Sequence, residues 1–338
     1  MTTTNYEQKK QIDWLAILRG LAVALVIIYH VPTAEVDGMK APFEIFNDIF
    51  VFRMPLFFFI SGYLLFYTKV RKNGSFASII KERVPRVVIP YIFITLSVLF
   101  IKYFVGHVVG IDDTDISLSA IANIFLYPRI NNPWVVLWFL NSVLIFFLCY
   151  PLLKLSLKNI YSSVGTLLLL ISLHYFFPEH IMLLDLYIVF LYFVFFYFGM
   201  FFARFDFQKY AKRNDVFLIC IAVMVLIKTL EYNKILDNTL FIYSIPGIFV
   251  LINLAMRCEK VRPTLFKSFR KYYYQIYLYG KFFQSPIFIL FGIFGNNNIA
   301  LAIGCFLLSI SLGLYGPVFL ARIVEKINWK PLLRIFGF

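Results

Sequence analysis

The sequence predicts an all-α integral membrane protein, a bundle of about ten transmembrane helices with both termini in the cytoplasm. The 338 residues are 61% hydrophobic and only 15% charged, whereas soluble domains are about 25% charged. The mean hydropathy is +0.80. The apolar residues are grouped in segments long enough to cross a hydrocarbon core of about 30 Å, and the loops between these segments alternate in charge.

Ten apolar segments satisfy this length requirement. They are residues 13–31, 44–68, 84–105, 134–153, 160–177, 182–203, 215–231, 239–256, 272–293 and 298–321.

The distribution of charge predicts which loops face the cytoplasm. Most lysines and arginines lie in 1–12, 69–83, 154–159, 204–214, 257–271 and 322–338. The other loops, 32–43, 106–133, 178–181, 232–238 and 294–297, contain only Lys40, Arg129 and Lys234, together with Glu35, Asp37, Asp112, Asp113, Asp115, Glu179 and Asp237. Because cytoplasmic loops carry the excess of Lys and Arg, both termini are placed inside and the number of spans is even.

Composition also excludes several classes of protein. The net charge of +14 is explained by the cytoplasmic loops, and without a basic, aromatic-rich helix face we expect no nucleic-acid partner. The four cysteines form no CxxC pair and predict neither a disulfide framework nor a metal site. The first span lacks a small-residue cleavage pattern and is interpreted as retained. The prediction is one membrane domain, 1–338, without an appended soluble domain.

The first span contains an arginine and a histidine separated by ten residues, Arg19 and His30. Eleven positions at 100° return to within about 20° of one helix face and about 16 Å along the axis. Ionisable groups in such spans mark functional sites, so His30 is a candidate general base, because histidine titrates in the physiological range. The alternatives are that Arg19 snorkels to the cytoplasmic surface and that His30 lies at the opposite interface.

The second span places Arg53 about ten residues from its start, where it requires a buried partner or a cavity. Pro55 frees a backbone carbonyl in the following turn. Ser61 and Gly62 form a small pair that permits close helix approach. We considered Ser61 as a nucleophile, but a structural hydrogen bond is the simpler explanation because the sequence places no base beside it.

Two further basic features are site candidates. Arg83 and Arg86 enter the third span, where positive charge opposes the helix dipole and an anion such as phosphate would suit guanidinium geometry. The alternative is that both arginines are ordinary topology signals. Lys281 lies about ten residues into the ninth span and needs a partner or a water-filled cavity.

Four motifs in order resemble the acyltransferase 3 family of membrane O-acyltransferases. They are Arg19-x10-His30, the stretch Phe52-Arg-Met-Pro-Leu-Phe-Phe-Phe-Ile-Ser-Gly-Tyr-Leu64, Arg83-x-x-Arg86, and Leu137-Trp-Phe-Leu140. The resemblance covers the first half well and is compatible with the whole length, because that family has about ten spans with cytoplasmic termini.

The resemblance implies acyl transfer, usually of acetyl, from cytoplasmic acetyl-CoA to a hydroxyl of a bacterial envelope carbohydrate. His30 would be catalytic with Arg19, and Arg83 and Arg86 would hold the CoA phosphates. Acyl-CoA would be a substrate, with no tightly bound cofactor. We expect a multi-pass protein of the bacterial inner membrane whose partners are the bilayer, a polysaccharide or lipid-linked sugar, and separate glycan-assembly proteins.

The sequence departs from the family pattern at one position and leaves two other functions open. Family members often have a histidine shortly after the Tyr-Leu pair of a late span, but Tyr277-Leu278 is followed here by Tyr279-Gly280. A transporter or flippase of acyl or sugar substrates is the main alternative, since buried charges also mark transport pathways, although no internal repeat is evident. A structural protein would not need Arg53 and Lys281 at depth.

Overall fold

The computed structural model describes residues 2–31, 40–109, 115–294 and 299–338, and this part of the chain is 82% helical without a strand. The predicted all-α class is therefore confirmed. Four acidic residues used to assign the outer loops, Glu35, Asp37, Asp112 and Asp113, lie outside the described residues.

Ten long helices correspond to the ten predicted segments. They are α1 (Thr2–Tyr29), α2 (Arg53–Leu65), α3 (Val84–Val109), α4 (Trp138–Leu148), α5 (Ile160–Phe176), α6 (Leu186–Arg204), α7 (Asn214–Tyr232), α8 (Leu240–Val261), α9 (Tyr273–Phe294) and α10 (Ile299–Ile327).

Shorter helical pieces connect these helices. They are Lys40–Ile49, Phe76–Glu82, Leu118–Leu126, Pro128–Asn131, Tyr150–Ser156, Gln208–Ala211 and Lys330–Ile335, with 3-10 turns at Val135–Leu137, Leu183–Asp185 and Arg270–Tyr272 and a π-helical turn at Phe66–Val70. Side chains cap several of them: Ser75 accepts a hydrogen bond from the Ser78 N–H, and Ser117 accepts one from the Ala120 N–H.

Five helical stretches within the described residues are long and apolar enough to cross a membrane, namely Pro42–Val70, Phe76–Val105, Leu183–Arg204, Leu240–Val261 and Ala300–Ile327. A sixth is added if Val135–Leu148 and Tyr150–Ser156, which meet at 61°, form one broken span. The chain is thus a multi-pass membrane protein, while the count of ten and the cytoplasmic termini stay predictions.

One predicted span contains a turn but remains a single apolar stretch, Pro42–Val70, and another is bent by 61°. The segment predicted at 44–68 consists of Lys40–Ile49, a turn, and then α2, which begins at Arg53. The segment predicted at 134–153 bends after α4, where Pro151 occupies the first turn of the next helix. Proline is tolerated there because it has no N–H to donate. Hydropathy does not reveal a bend of this kind.

The chain divides into two compact units. The first comprises Met1–Ile60 and Asp206–Ile327 and contains α1 and α7 to α10. The second comprises Ser61–Phe205 and Asn328–Phe338 and contains α3 to α6.

Close helix packing in the second unit depends on Gly62, as the small Ser-Gly pair predicts. A Cβ atom at this position would run into the backbone carbonyl of Phe196 on α6. The aromatic side chains around α6 are themselves closely packed, with the rings of Phe146 and Phe193 stacked at 4.3 Å between centroids. This contact between backbones therefore has no room for any residue larger than glycine.

Replacing Gly62 by Ala is expected to destabilise the protein by about 1–3 kcal/mol, the usual cost of forcing extra atoms into a packed interior. Gly165→Ala is the matched control, because a Cβ at Gly165 meets nothing within 4 Å and Ala favours helix over Gly. Thermal unfolding in detergent, followed by tryptophan fluorescence, measures both variants. Equal unfolding temperatures for the two variants would contradict the close approach of α2 and α6.

Candidate active site

His30 directly follows the last residue of α1. Its backbone N–H lies 3.3 Å from the Val26 carbonyl oxygen and 3.2 Å from the Ile27 carbonyl oxygen, so the helical turn continues up to the imidazole. The side chain is half-buried, and its ring meets the Tyr29 ring edge-on at 5.0 Å. The imidazole is thus fixed at a helix end rather than carried on a loose loop.

Two cations from other parts of the first unit act on this imidazole. Both the Lys281 ammonium, on α9, and the Arg53 guanidinium, at the start of α2, interact electrostatically with His30. Arg53 is oriented by its Nη1, which donates to the Phe50 carbonyl at 3.1 Å, and by the Tyr29 ring, whose centroid is 3.5 Å from the guanidinium carbon. The structure therefore brings together three of the predicted site residues, His30, Arg53 and Lys281.

The end of α1 is held by unusually close packing against α9 and α10. A Cβ at Gly280 would collide with the Ile27 side chain and would lie 3.0 Å from the Gly313 carbonyl oxygen. A Cβ at Gly313 would lie 2.9 Å from Ile27 Cγ2 and 3.0 Å from Gln284 Cδ. The two glycines let three helices approach at the turn that precedes His30.

Gln284 connects α9 to the same turn by a hydrogen bond. Its side chain is fully buried, and its Nε2 donates to the Ile27 carbonyl at 3.0 Å. That carbonyl also lies within hydrogen-bond distance of the His30 N–H, so one acceptor fixes both groups. Gln284 was not predicted from the sequence; its signal was an amide within an apolar span, four residues after Gly280.

Arg19 is placed away from the three-residue cluster formed by His30, Arg53 and Lys281. Its guanidinium carbon lies 4.9 Å from the centroid of the Tyr273 ring, at the start of α9, and its Nε donates to the Leu15 carbonyl at 3.4 Å. His30 is eleven positions after Arg19, which corresponds to about 16 Å along a helix axis. The two residues are therefore on one helix but in different surroundings.

Arg83 and Arg86 lie in the second unit. The half-buried Arg83 donates through Nη2 to the Thr68 hydroxyl at 2.8 Å. The exposed Arg86 donates through Nε to the Gly337 carbonyl at 2.7 Å. Each arginine thus donates at least one hydrogen bond to the protein, which fixes the direction of its planar guanidinium.

The partner of Arg83 belongs to the π-helical turn Phe66–Val70. The Thr68 hydroxyl donates to the Leu64 carbonyl at 2.6 Å. In the same turn, the buried Lys69 donates to Glu82 at 2.8 Å and to Ser78 at 3.1 Å. Single π-helical turns occur frequently at functional sites, and none of these contacts was foreseen from the sequence because a π turn has no hydropathy signal.

Ser61 and the predicted absence of a metal site are the remaining points of the sequence prediction. Ser61 is half-buried on α2, next to Gly62. Within the part of the chain that the structure describes, no three His, Cys, Asp or Glu side chains are grouped in a way that could hold a metal ion.

An imidazole and two cations on apolar helices are ionisable groups of the kind that mark a functional site in a membrane protein. The family model Acyl_transf_3, described as an acyltransferase domain, matches residues 12–316, which run through both compact units. The chain therefore belongs to the acyltransferase 3 family and is a membrane acyltransferase. Comparison with curated proteins and comparison with solved structures each gave no match.

The departure at Tyr279-Gly280 has a structural explanation. Because Gly280 faces Ile27 and the Gly313 carbonyl, no side chain fits at this position. The following residue is Lys281, which interacts with His30. In this chain α9 thus supplies close backbone packing at residue 280 and a cation at residue 281.

Gly313→Ala is expected to lower acyltransferase turnover by about tenfold or more, because its Cβ would displace Ile27 and Gln284 and shift the turn that carries His30, and small misplacements of reacting groups are costly. Gly304→Ala on the same helix is the matched control, since its Cβ would meet nothing within 4 Å. Acyl transfer by equal amounts of folded, membrane-inserted protein measures both. Wild-type turnover in Gly313→Ala would show that this packing does not control the site.

Proposed function

We propose that this acyltransferase moves an acetyl group from cytoplasmic acetyl-CoA to a hydroxyl of a cell-envelope carbohydrate in the bacterial inner membrane, with His30 as general base. Family membership over residues 12–316 supports acyl transfer. The observation that carries the assignment to His30 is its fixed position at the end of α1, next to the Tyr29 ring on which the Arg53 guanidinium lies.

The proposed reaction is a direct transfer. The His30 imidazole accepts the proton of the acceptor hydroxyl while the oxygen of that hydroxyl forms a bond to the thioester carbonyl carbon. The carbon–sulfur bond of the tetrahedral intermediate then breaks, and the imidazolium returns the proton to the departing CoA thiolate. The products are an O-acetyl ester and CoA thiol, so protons and charges balance without a tightly bound cofactor.

Arg53 and Lys281 have a role in this scheme that follows from their charge. Negative charge develops on the thioester oxygen as the hydroxyl attacks. Fixed cations near the reacting centre stabilise that charge more strongly than water does, because they need no reorganisation. The cation–π contact with Tyr29 keeps the Arg53 guanidinium in place without neutralising it. Both residues are therefore assigned to stabilising the transition state.

The donor is assigned to the basic surface that includes Arg83 and Arg86. Acetyl-CoA carries several phosphate charges, and guanidinium groups bind phosphate through charge-assisted, bidentate hydrogen bonds. The hydrogen bond from Arg83 to Thr68 in the π-helical turn fixes the orientation of the Arg83 guanidinium. A topology signal would need only positive charge and no such fixed geometry.

His30→Ala is expected to reduce acyl transfer by about 10²–10⁴-fold, the range for losing a positioned base, while the protein remains inserted. His180→Ala is the control, because His180 is exposed and outside the proposed site. Transfer of radiolabelled acetyl from acetyl-CoA, measured at equal protein level, gives the comparison. Turnover of inserted His30→Ala within a few fold of wild type would exclude the assigned base.

Arg83→Lys and Arg86→Lys are each expected to raise the KM for acetyl-CoA by about tenfold with little change in kcat, since lysine keeps the charge but not the bidentate fork. Arg71→Lys is the control, because Arg71 is exposed at the end of the π-helical turn and is not assigned to the donor site. Steady-state kinetics at varied acetyl-CoA measure all three. An unchanged KM in both variants would reduce Arg83 and Arg86 to topology signals.

A further inference from the structure

A polar groove in the second unit lies outside the sites described above. Its volume is about 360 Å³, within the range of about 300–1,000 Å³ typical of small-molecule sites. Five of its nine lining residues are polar or charged. These five, which together define the outer groove, are Lys102, Asp115, Ser119, Asn123 and Asn131.

The position of the outer groove along α3 indicates which side of the membrane it faces. The helix begins at Val84, directly after Arg83 in the loop predicted to be cytoplasmic. Lys102 lies eighteen residues further, about 27 Å along the axis, and the hydrocarbon core is about 30 Å thick. The outer groove therefore opens at the face that the charge distribution predicts to be outside.

The charge of the outer groove favours a neutral ligand. One ammonium, from Lys102, and one carboxylate, from Asp115, are accompanied by a hydroxyl and two amides. A phosphate site would instead require an excess of cations or of backbone N–H donors. Balanced donors and acceptors of this kind suit a ligand that both donates and accepts many hydrogen bonds, as the hydroxyls of a sugar do.

The acidic side of the outer groove is held in a fixed geometry. The Asp115 carboxylate accepts hydrogen bonds from the Ser117 N–H at 2.7 Å and the Ser117 hydroxyl at 2.9 Å. Ser117 also caps the helix Leu118–Leu126, which carries Ser119 and Asn123. Two carboxylate oxygens offer about four acceptor sites, so Asp115 retains capacity for ligand hydroxyls. The part of the lining formed by Asp115, Ser119 and Asn123 is therefore preorganised on one helix and its cap.

Among the other polar groups of the outer groove, the Ser119 hydroxyl lies 3.0 Å from the Ser117 hydroxyl, and the Asn131 side chain donates to the Asn123 carbonyl at 3.5 Å. Two further groups are available to a ligand. The Lys102 ammonium and the Asn123 side-chain amide are exposed and make no hydrogen bond to any residue in the described ranges. The remaining lining includes Leu99, Ile124 and Pro133, which provide an apolar surface for the C–H face of a sugar ring. This combination of a few placed polar groups and apolar walls is typical of ligand pockets.

We propose that the outer groove binds the sugar part of the acceptor, with Asn123 and Ser119 hydrogen-bonding its hydroxyls. That the bound sugar is the acceptor rests on the proposed function, whereas the existence of a sugar site does not. The lipid-facing side of α3 nearby exposes Phe100 and Phe104 by 63% and 52%. A sugar attached to a membrane lipid could thus reach the outer groove as well as a released glycan.

The first experiment measures binding directly. The full chain in lipid nanodiscs is studied by saturation-transfer NMR with neutral methyl glycosides and trisaccharides of glucose, galactose, mannose, rhamnose and N-acetylglucosamine, with inorganic phosphate as the anion probe. We expect at least one sugar to bind wild type and to bind Ser119→Ala/Asn123→Ala at least tenfold more weakly, from the loss of two hydrogen bonds. Arg129→Gln is the control, since Arg129 is exposed on the next short helix and outside the groove.

The second experiment measures transfer. The substrates are acetyl-CoA and acceptor glycan purified from a strain lacking the gene. The glycan is supplied either in its lipid-linked form or in its released form, and the same variants are used. The double variant should raise the acceptor KM at least tenfold and leave acetyl-CoA hydrolysis within twofold of wild type. Whichever acceptor form shows this KM change is the natural source of the sugar. Because Ala favours helix more than Ser or Asn, the double variant is expected to fold.

The outcomes separate the sugar site from the proposed function. Three results would overturn the outer groove as a sugar site. They are unchanged sugar binding in the double variant, binding of phosphate but of no sugar, and no binding of any sugar of the panel. An acceptor KM unchanged in the double variant would overturn its role in transfer. If the wild type neither hydrolyses nor transfers acetyl from acetyl-CoA, the proposed function fails, and the binding experiment still decides the sugar site.

Discussion

The cost of placing charge among apolar helices governs this structure. An unpaired cation at bilayer depth costs roughly 3 kcal/mol or more, so each one must find a carbonyl, a ring or a polar partner. Arg53 meets this requirement with the Phe50 carbonyl and the Tyr29 ring, and Arg19 does so with the Leu15 carbonyl and the Tyr273 ring. A backbone carbonyl and an aromatic ring thus contact each of the two guanidiniums.

The same requirement explains why backbone contacts are concentrated around His30. Helices in lipid gain little from burying apolar side chains against one another and associate mainly through close packing and hydrogen bonds. Gly280 and Gly313 supply the close packing, and Gln284 supplies a hydrogen bond to the Ile27 carbonyl. The turn before His30 is thus among the most constrained parts of the first unit. Constraint of this kind is what a positioned base needs.

The arginines of the second unit are positioned in a different way. A π-helical turn, rather than a glycine contact, positions the hydroxyl that accepts from Arg83, and it also carries the ion pair of Lys69 with Glu82. The extra residue of a π turn changes the direction of side chains over a short distance. In this turn Thr68 accepts from Arg83, and Lys69 donates to Ser78 and Glu82 of the next short helix. The arginines are therefore built into the fold rather than free on the surface.

Composition and periodicity were sufficient for the fold class and the position of the long helices. Hydropathy depends only on local sequence, and every one of the ten predicted segments contains a long helix. The same property made hydropathy blind to the 61° bend after α4, which coincides with a proline at the start of the next short helix. The number of membrane crossings and the side of the termini depend on the bilayer, and stay predictions.

The candidate site was predictable in its residues but not in its grouping. His30, Arg53 and Lys281 could be identified individually because a charge or imidazole in an apolar span is costly. That they act on one another, whereas Arg19 lies with Tyr273, depends on how helices distant in sequence pack. The sequence by itself determined a helical membrane protein and the polar residues that need an explanation. Only the tertiary structure decided which of them share a site, because glycine contacts and the Gln284 hydrogen bond select one packing among many with equal hydropathy.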